Sequence, residues 1–167
     1  MNAAPQPGRT LHPDLAANPI LARWISFEAD GCVTLNAGKV ELGQGIGIVQ
    51  VQVAADELDV PLACIRLRAG HTAYGPDQGY TSGSLSTQVG MAALRQVCAE
   101  VRALFVAQAA RVLGVRPEAI VVREGVFADS GSVSGAQVSY RDLREAVDLG
   151  VPATGQATPK QSGQHTH

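Results

Sequence analysis

Two short stretches carry residue types suited to holding a ligand. Gly43-Gln44-Gly45 sets a side-chain amide, which both donates and accepts hydrogen bonds, between two residues that lack a Cβ. Glycine there permits positive φ and lets another group approach the backbone closely. Further along, Thr81-Ser82-Gly83-Ser84 together with Ser86 places four hydroxyls near the start of a long helical segment. Hydroxyls and unsatisfied helix N–H groups suit polar or anionic ligands. Each stretch also has a plainer reading, a tight connection in the first case and an N-cap cluster in the second. Short glycine patterns alone do not choose between them.

The flanking residues indicate how these stretches are positioned. Val40-Glu41-Leu42 alternates as a short strand does, and Ile46 to Asp59 reads as a helix, so Gly43 and Gly45 fall at a strand-to-helix junction. The β-branched residues Ile46, Ile48, Val49, Val51 and Val53 keep a strand open as the rival for this helix's first turns. Asp56, Glu57 and Asp59 oppose the macrodipole at its end, so packing must hold it. Asp30-Gly31 predicts a hairpin between residues 20–27 and 32–35, and Ile65-Arg66-Leu67-Arg68 a half-exposed strand. Residues 70–83 form an aperiodic polar loop holding His71, Tyr74 and Asp77, with no arrangement of nucleophile, base and orienter.

From about Leu85 to Leu113 apolar residues recur at helical spacing, and Gly114 ends the segment. A small β region follows at residues 120–123 and 125–128, with a turn at 129–131 and Val133 beyond it. Ser139-Tyr140-Arg141-Asp142 predicts a capped last helix through Val147. The expected fold class is α+β, a small mixed or antiparallel sheet with two main helices. Trp24 reads as a core anchor.

Length and composition bound the possibilities. With 167 residues, 46% hydrophobic and 17% charged, the chain suffices for one domain. The expected organisation is a flexible arm over 1–18, a domain over 19–150 and a flexible tail or truncated linker over 151–167. A net charge of −2 with scattered Lys and Arg gives no footprint for nucleic acid. No apolar run is long enough for a membrane span, and the expected setting is cytoplasmic. Cys32, Cys64 and Cys98 are odd in number and widely spaced, arguing against a disulfide framework, a zinc site or a cluster site. His165 and His167 read as an adventitious terminal pair. No catalytic residue and no metal ligand is expected.

Gly38-Lys39-Val40-Glu41-Leu42-Gly43-Gln44-Gly45-Ile46, Ala54-Ala55-Asp56-Glu57-Leu58-Asp59-Val60-Pro61, and Pro76-Asp77-Gln78-Gly79 running into Thr81-Ser82-Gly83-Ser84 together resemble one family. It is the molybdopterin-binding large subunit of the xanthine dehydrogenase and aldehyde oxidase family, in the branch of isoquinoline 1-oxidoreductase and nicotinate dehydrogenase. The resemblance covers roughly Asn18 to Lys160. It implies part of a molybdopterin-binding domain and oxidative hydroxylation of aldehydes or N-heteroaromatics, with water as the oxygen source. The implied cofactor is a molybdenum–pterin, often a cytosine dinucleotide, and iron–sulfur clusters would lie on a partner chain, an iron–sulfur small subunit. The remaining part of the large subunit and a small-molecule substrate are the other implied partners.

Carried onto this chain, Gln44 would hydrogen-bond the pterin while Gly43 and Gly45 allow its approach. Thr81, Ser82, Gly83, Ser84 and Ser86 would serve the pyranopterin and phosphates. Two departures stand out. The family's catalytic glutamate lies in a Gly-Val-Gly-Glu-like motif that does not occur here, and Ile48 stands where the family often has Thr. The chain is expected to be incomplete alone, as a split subunit or a truncated product. The alternatives are an inactive fragment serving as an interaction module and an NAD(P)-binding Rossmann unit. The latter is weakened by Ile48 in place of the third glycine of G-x-G-x-x-G.

Overall fold

The structure is a computed structural model that describes residues 10–131 and 135–161. Its α helices are α1 (Pro13–Ala17), α2 (Ile46–Leu58), α3 (Ala92–Leu113) and α4 (Tyr140–Leu143). The strands are β1 (Ile25–Phe27), β2 (Val33–Ala37), β3 (Ile65–Ala69), β4 (Ile120–Arg123), β5 (Val126–Asp129) and β6 (Gln137–Ser139). They form two three-stranded sheets, β1-β2-β3 and β4-β5-β6. This is the α+β class that the sequence predicts.

The first sheet is mixed. β1 and β2 make the expected hairpin, with Ile25 opposite Leu35, and its turn is fixed by the Cys32 N–H donating to Asp30 Oδ1 at 3.0 Å. β3 then runs parallel to β2 with Val33 opposite Ile65, so the chain must cross over between them, and α2 makes that crossover. All five residues of β2 are buried, as befits a central strand. The second sheet is antiparallel throughout.

α3 ties the halves together by packing on α2 and on β5. Its fully buried Phe105 has ring centroids of Phe27 at 4.5 Å, Tyr140 at 4.8 Å and Phe127 at 6.4 Å. Trp24 is a core anchor as expected, donating from Nε1 to the Asn18 carbonyl at 2.8 Å. Burial pushes the Tyr140 phenol far above its ordinary range, so it stays a donor, and it binds the Leu58 carbonyl at 3.0 Å. Tyr140→Phe should therefore cost about 1–2 kcal/mol by leaving that buried carbonyl unpaired. Urea unfolding checks this, and an unchanged midpoint would count against it.

Several local expectations are corrected. Val40-Glu41-Leu42 is loop and not strand, because its backbone bonds go to side chains and not to a neighbouring strand. The first turn of the long helix is π-helical over Ser86–Met91 before α3 begins. The final helix ends at Leu143, short of Val147; its start is as predicted, a reciprocal box between Ser139 and Asp142. In the described part of the expected arm, α1 buries Leu15 completely.

The acids ending α2 have partners distant in sequence. Glu57, 1% exposed, accepts from Arg95 at 2.9 Å and from the Lys160 N–H at 3.0 Å. Asp59, held in the left-handed region at φ 55°, pairs with Arg102 at 2.9 Å and with Lys160. Glu100 accepts from the Thr154 and Ala157 N–H groups. Residues 151–161, read as a tail, are thus fastened to α2 and α3 in their described part. Val133, His165 and His167 lie outside the described residues.

Candidate functional site

The chain between β2 and α2 and the chain leading to the π-helical turn run side by side, joined near Lys39. Its ammonium, on a residue only 4% exposed, donates to the carbonyls of Gln78 at 2.6 Å and Tyr80 at 2.8 Å. On either side, the Gly38 N–H donates to Gln78 Oε1 at 2.9 Å and the Val40 N–H to Thr81 Oγ1 at 2.9 Å. Gln50, on α2, donates to the Lys39 carbonyl at 3.0 Å. The approach is close enough to require Gly38, where a Cβ would lie 2.5 Å from the Pro76 carbonyl oxygen. Gln78 extends the junction to α1 through Asp14 Oδ2 at 3.1 Å.

Beyond this junction the first loop closes on itself. Glu41 accepts from the N–H groups of Gly43 at 2.7 Å, Gly45 at 2.9 Å and Gly47 at 2.9 Å. Gln44 spans the same loop, its Oε1 accepting from Leu42 N–H at 2.6 Å and its Nε2 donating to the Val40 carbonyl at 3.0 Å. Gly43 at φ +97° and Gly45 at φ +78° adopt the left-handed conformations expected of them. Both face open space, with nothing within 4 Å of an added Cβ.

Hydrogen bonds from the Gly47 and Gly45 N–H groups, chief among several, hold the Glu41 carboxyl below the usual glutamate range. A depressed folded value means that this carboxylate supports the loop above the usual range. The support is lost as pH falls through the lowered value.

In the second loop Gly83 at φ +66° and Ser84 at φ +57° turn the chain into the π-helical segment. Ser82, Gly83 and Ser84 are exposed, and Ser86 is half-buried. Beside Thr81 lies a groove of about 440 Å³ lined by Arg23, His71, Asp77 and Tyr80 among others. Three of these make local contacts: Arg23 donates to the Gly75 carbonyl at 2.9 Å, the His71 ring lies 4.6 Å from Tyr74, and Asp77 accepts from the Gly79 N–H at 2.9 Å. Among the described residues no group of three His, Cys, Asp or Glu could hold a metal ion.

The two stretches singled out in the sequence thus occupy neighbouring loops. Lys39, Gln78 and Glu41 were missed as the parts that position them. Lys39 stands between Gly38 and an alternating Val40-Glu41-Leu42, a pattern that gave no sign of its burial, and Gln78 carried no signal either. Residues 38–45 form a loop between β2 and α2, so Gly43-Gln44-Gly45 does not follow directly on a strand as a Rossmann glycine turn does.

Comparison with known proteins gives this geometry its class. The chain matches the family model of the molybdopterin cofactor-binding domain over residues 9–167. It is 36% identical over 123 residues to a nicotinate dehydrogenase subunit of Pseudomonas putida, covering 74% of this chain and 10% of that protein. It is also 31% identical over 137 residues to a membrane-bound aldehyde dehydrogenase (pyrroloquinoline-quinone) of Gluconacetobacter polyoxogenes, covering 81% of this chain and 17% of the relative.

Among solved structures, CO dehydrogenase from Oligotropha carboxidovorans aligns with TM-score 0.58 at 26% identity, covering 71% of this chain and 15% of that one. Quinoline 2-oxidoreductase from Pseudomonas putida shares the fold with TM-score 0.63 at 23% identity, over 81% of this chain and 18% of that one. The chain therefore belongs to the molybdopterin cofactor-binding domain family, within the xanthine dehydrogenase and aldehyde oxidase enzymes. It spans between 10% and 17% of the length of the two relatives named. Among the described residues no helix is long and apolar enough to cross a membrane.

Proposed function

We propose that this chain supplies two cofactor-holding loops of a molybdenum hydroxylase that oxidises aldehydes or N-heteroaromatics, with water as the oxygen source. One observation carries the proposal: Lys39 and Val40 bind the second loop directly, joining the loop that carries Gly43-Gln44-Gly45 to the one that carries Thr81-Ser82-Gly83-Ser84. The residues fit a molybdenum–pterin. Gly43 and Gly45 leave an open face at which no Cβ would clash, and Ser82 and Ser84 expose hydroxyls. Such a cofactor supplies the two-electron oxidation itself.

In this reading Gln44 keeps one N–H hydrogen and one carbonyl lone pair for the pterin, since its other contacts hold the loop. Thr81, Ser82, Gly83, Ser84 and Ser86 serve the pyranopterin and phosphate portion, which we take to be that of a cytosine dinucleotide. Thr81 is already fixed, because its hydroxyl accepts from Val40. The catalytic base comes from elsewhere. Glu41 is bound to three glycine amides, and Glu57 is buried against Arg95 and the Lys160 backbone.

The partners are the remaining part of a large subunit and an iron–sulfur small subunit, in a cytoplasmic setting. Exposed apolar side chains near the two loops support burial against further protein: Leu42 is 70% exposed, Ile48 57%, Tyr80 92% and Leu85 47%. Gln44→Ala should lower the molybdenum retained by the purified complex severalfold, while the loss of its two exposed loop bonds costs the chain only about 1 kcal/mol of stability. Unaltered molybdenum content would favour the second reading, a module that folds and binds no cofactor. That reading draws on the absence of a Gly-Val-Gly-Glu-like stretch in these 167 residues.

A further inference from the structure

We infer that Glu41 is a built-in anion that closes the amino end of α2. The first loop then offers a bound cofactor only neutral contacts and leaves its phosphates to the second loop. This deepens the cofactor reading above and rests on it.

A helix that starts at a glycine turn would ordinarily present free N–H groups and a partial positive charge, the usual place for a phosphate. Here two of those groups, on Gly45 and Gly47, are already taken, together with the Gly43 N–H just before the helix. Glu41 Oε1 accepts from Gly43 and Gly45, and Oε2 from Gly47, at 2.7, 2.9 and 2.9 Å. Gly47 contributes through its N–H alone, since a Cβ there would make only ordinary contact with Oε2, at 3.5 Å.

A phosphate entering this turn would have to displace a charge already paired with three donors, or lie against it and be repelled. What the loop still presents outward is uncharged: the remaining hydrogen-bonding capacity of Gln44 and the open faces of Gly43 and Gly45. The second loop differs in kind. Tyr80 to Ser86 contains no carboxylate, and Ser82 and Ser84 stand exposed. Glu41 is thus a positioning residue with a selective consequence, since it shapes the Gly-Gln-Gly turn before any ligand arrives and sends negative charge elsewhere.

The test uses the full chain, isotopically labelled for amide NMR, with inorganic phosphate as the probe. In the wild-type chain the amides of Gly43, Gly45 and Gly47 should stay unmoved by phosphate. In Glu41→Ala the same three should shift and saturate, with affinity at least about tenfold greater. Equal response in both chains would overturn the inference.

A wild-type measurement covers the case in which Glu41→Ala fails to keep the turn. The three glycine amides should move together on acidification, with one midpoint below the usual glutamate range. Failure to move together overturns the inference regardless of the variant. Neither readout involves the cofactor, so loss of the molybdenum reading would appear separately, as a native complex without metal.

Discussion

Lys39→Met is expected to destabilise the chain by about 3 kcal/mol and to free the second loop from the first. Methionine reproduces much of the lysine stem, which packs close to Gly90, where a Cβ would lie 3.2 Å from Lys39 Cγ. What is lost is the ammonium and its bonds to the Gln78 and Tyr80 carbonyls. An unpaired buried polar group costs about 1–3 kcal/mol, and the Gln78 contact is the buried one of the two. The Tyr80 carbonyl lies nearer solvent and can recover part of its loss from water.

Denaturant unfolding and amide exchange together check this. Stability should fall, and the N–H groups of Val40 and Gly38, which bond across the junction, should lose protection. Arginine would not rescue, because a planar guanidinium needs more room than the stem's packing leaves. A Lys39→Met chain with wild-type stability and protection would show that the two loops are held by something other than this lysine.

Phe105→Ala should cost more, about 3–5 kcal/mol, as large-to-small changes at buried aromatic sites do. Its ring is fully buried and contacts groups from three places in the chain: Phe27 of the hairpin, Phe127 of the second sheet and Tyr140 of α4. Neighbours that belong to different elements cannot all collapse into the same void, so relaxation recovers little. For a chain of this size the melting temperature should drop by on the order of 10 °C. A loss below about 1 kcal/mol would mean that the two sheets are not joined through this ring.

Which parts of this molecule were readable from residues follows from how local their causes are. The Asp30-Gly31 hairpin, the end of α3 at Gly114 and the box between Ser139 and Asp142 are set by neighbours in sequence. The left-handed glycines flanking Gln44 belong to the same class. Val40-Glu41-Leu42 misled because alternation looks alike in a strand and in a loop. What decides is where the N–H groups go, and here they go to Thr81 and Gln44.

The acids closing α2 looked unfavourable until Arg95, Arg102 and Lys160 were brought to them by the fold. For the same reason residues 151–161 resembled a linker in composition while their backbone and side chains serve Glu57, Glu100 and Asp59. The pairing of the two glycine-containing stretches came from family resemblance. The residues that join them, Lys39 and Gln78, became evident only as contacts.

The central claim is that these joined loops hold a molybdenum–pterin inside a larger enzyme. Its most direct test is the molybdenum and pterin content of the native complex that copurifies with this chain from its own source. The account predicts stoichiometric molybdenum with a pterin, lowered together by Gln44→Ala. An intact native complex lacking both metal and pterin would contradict it.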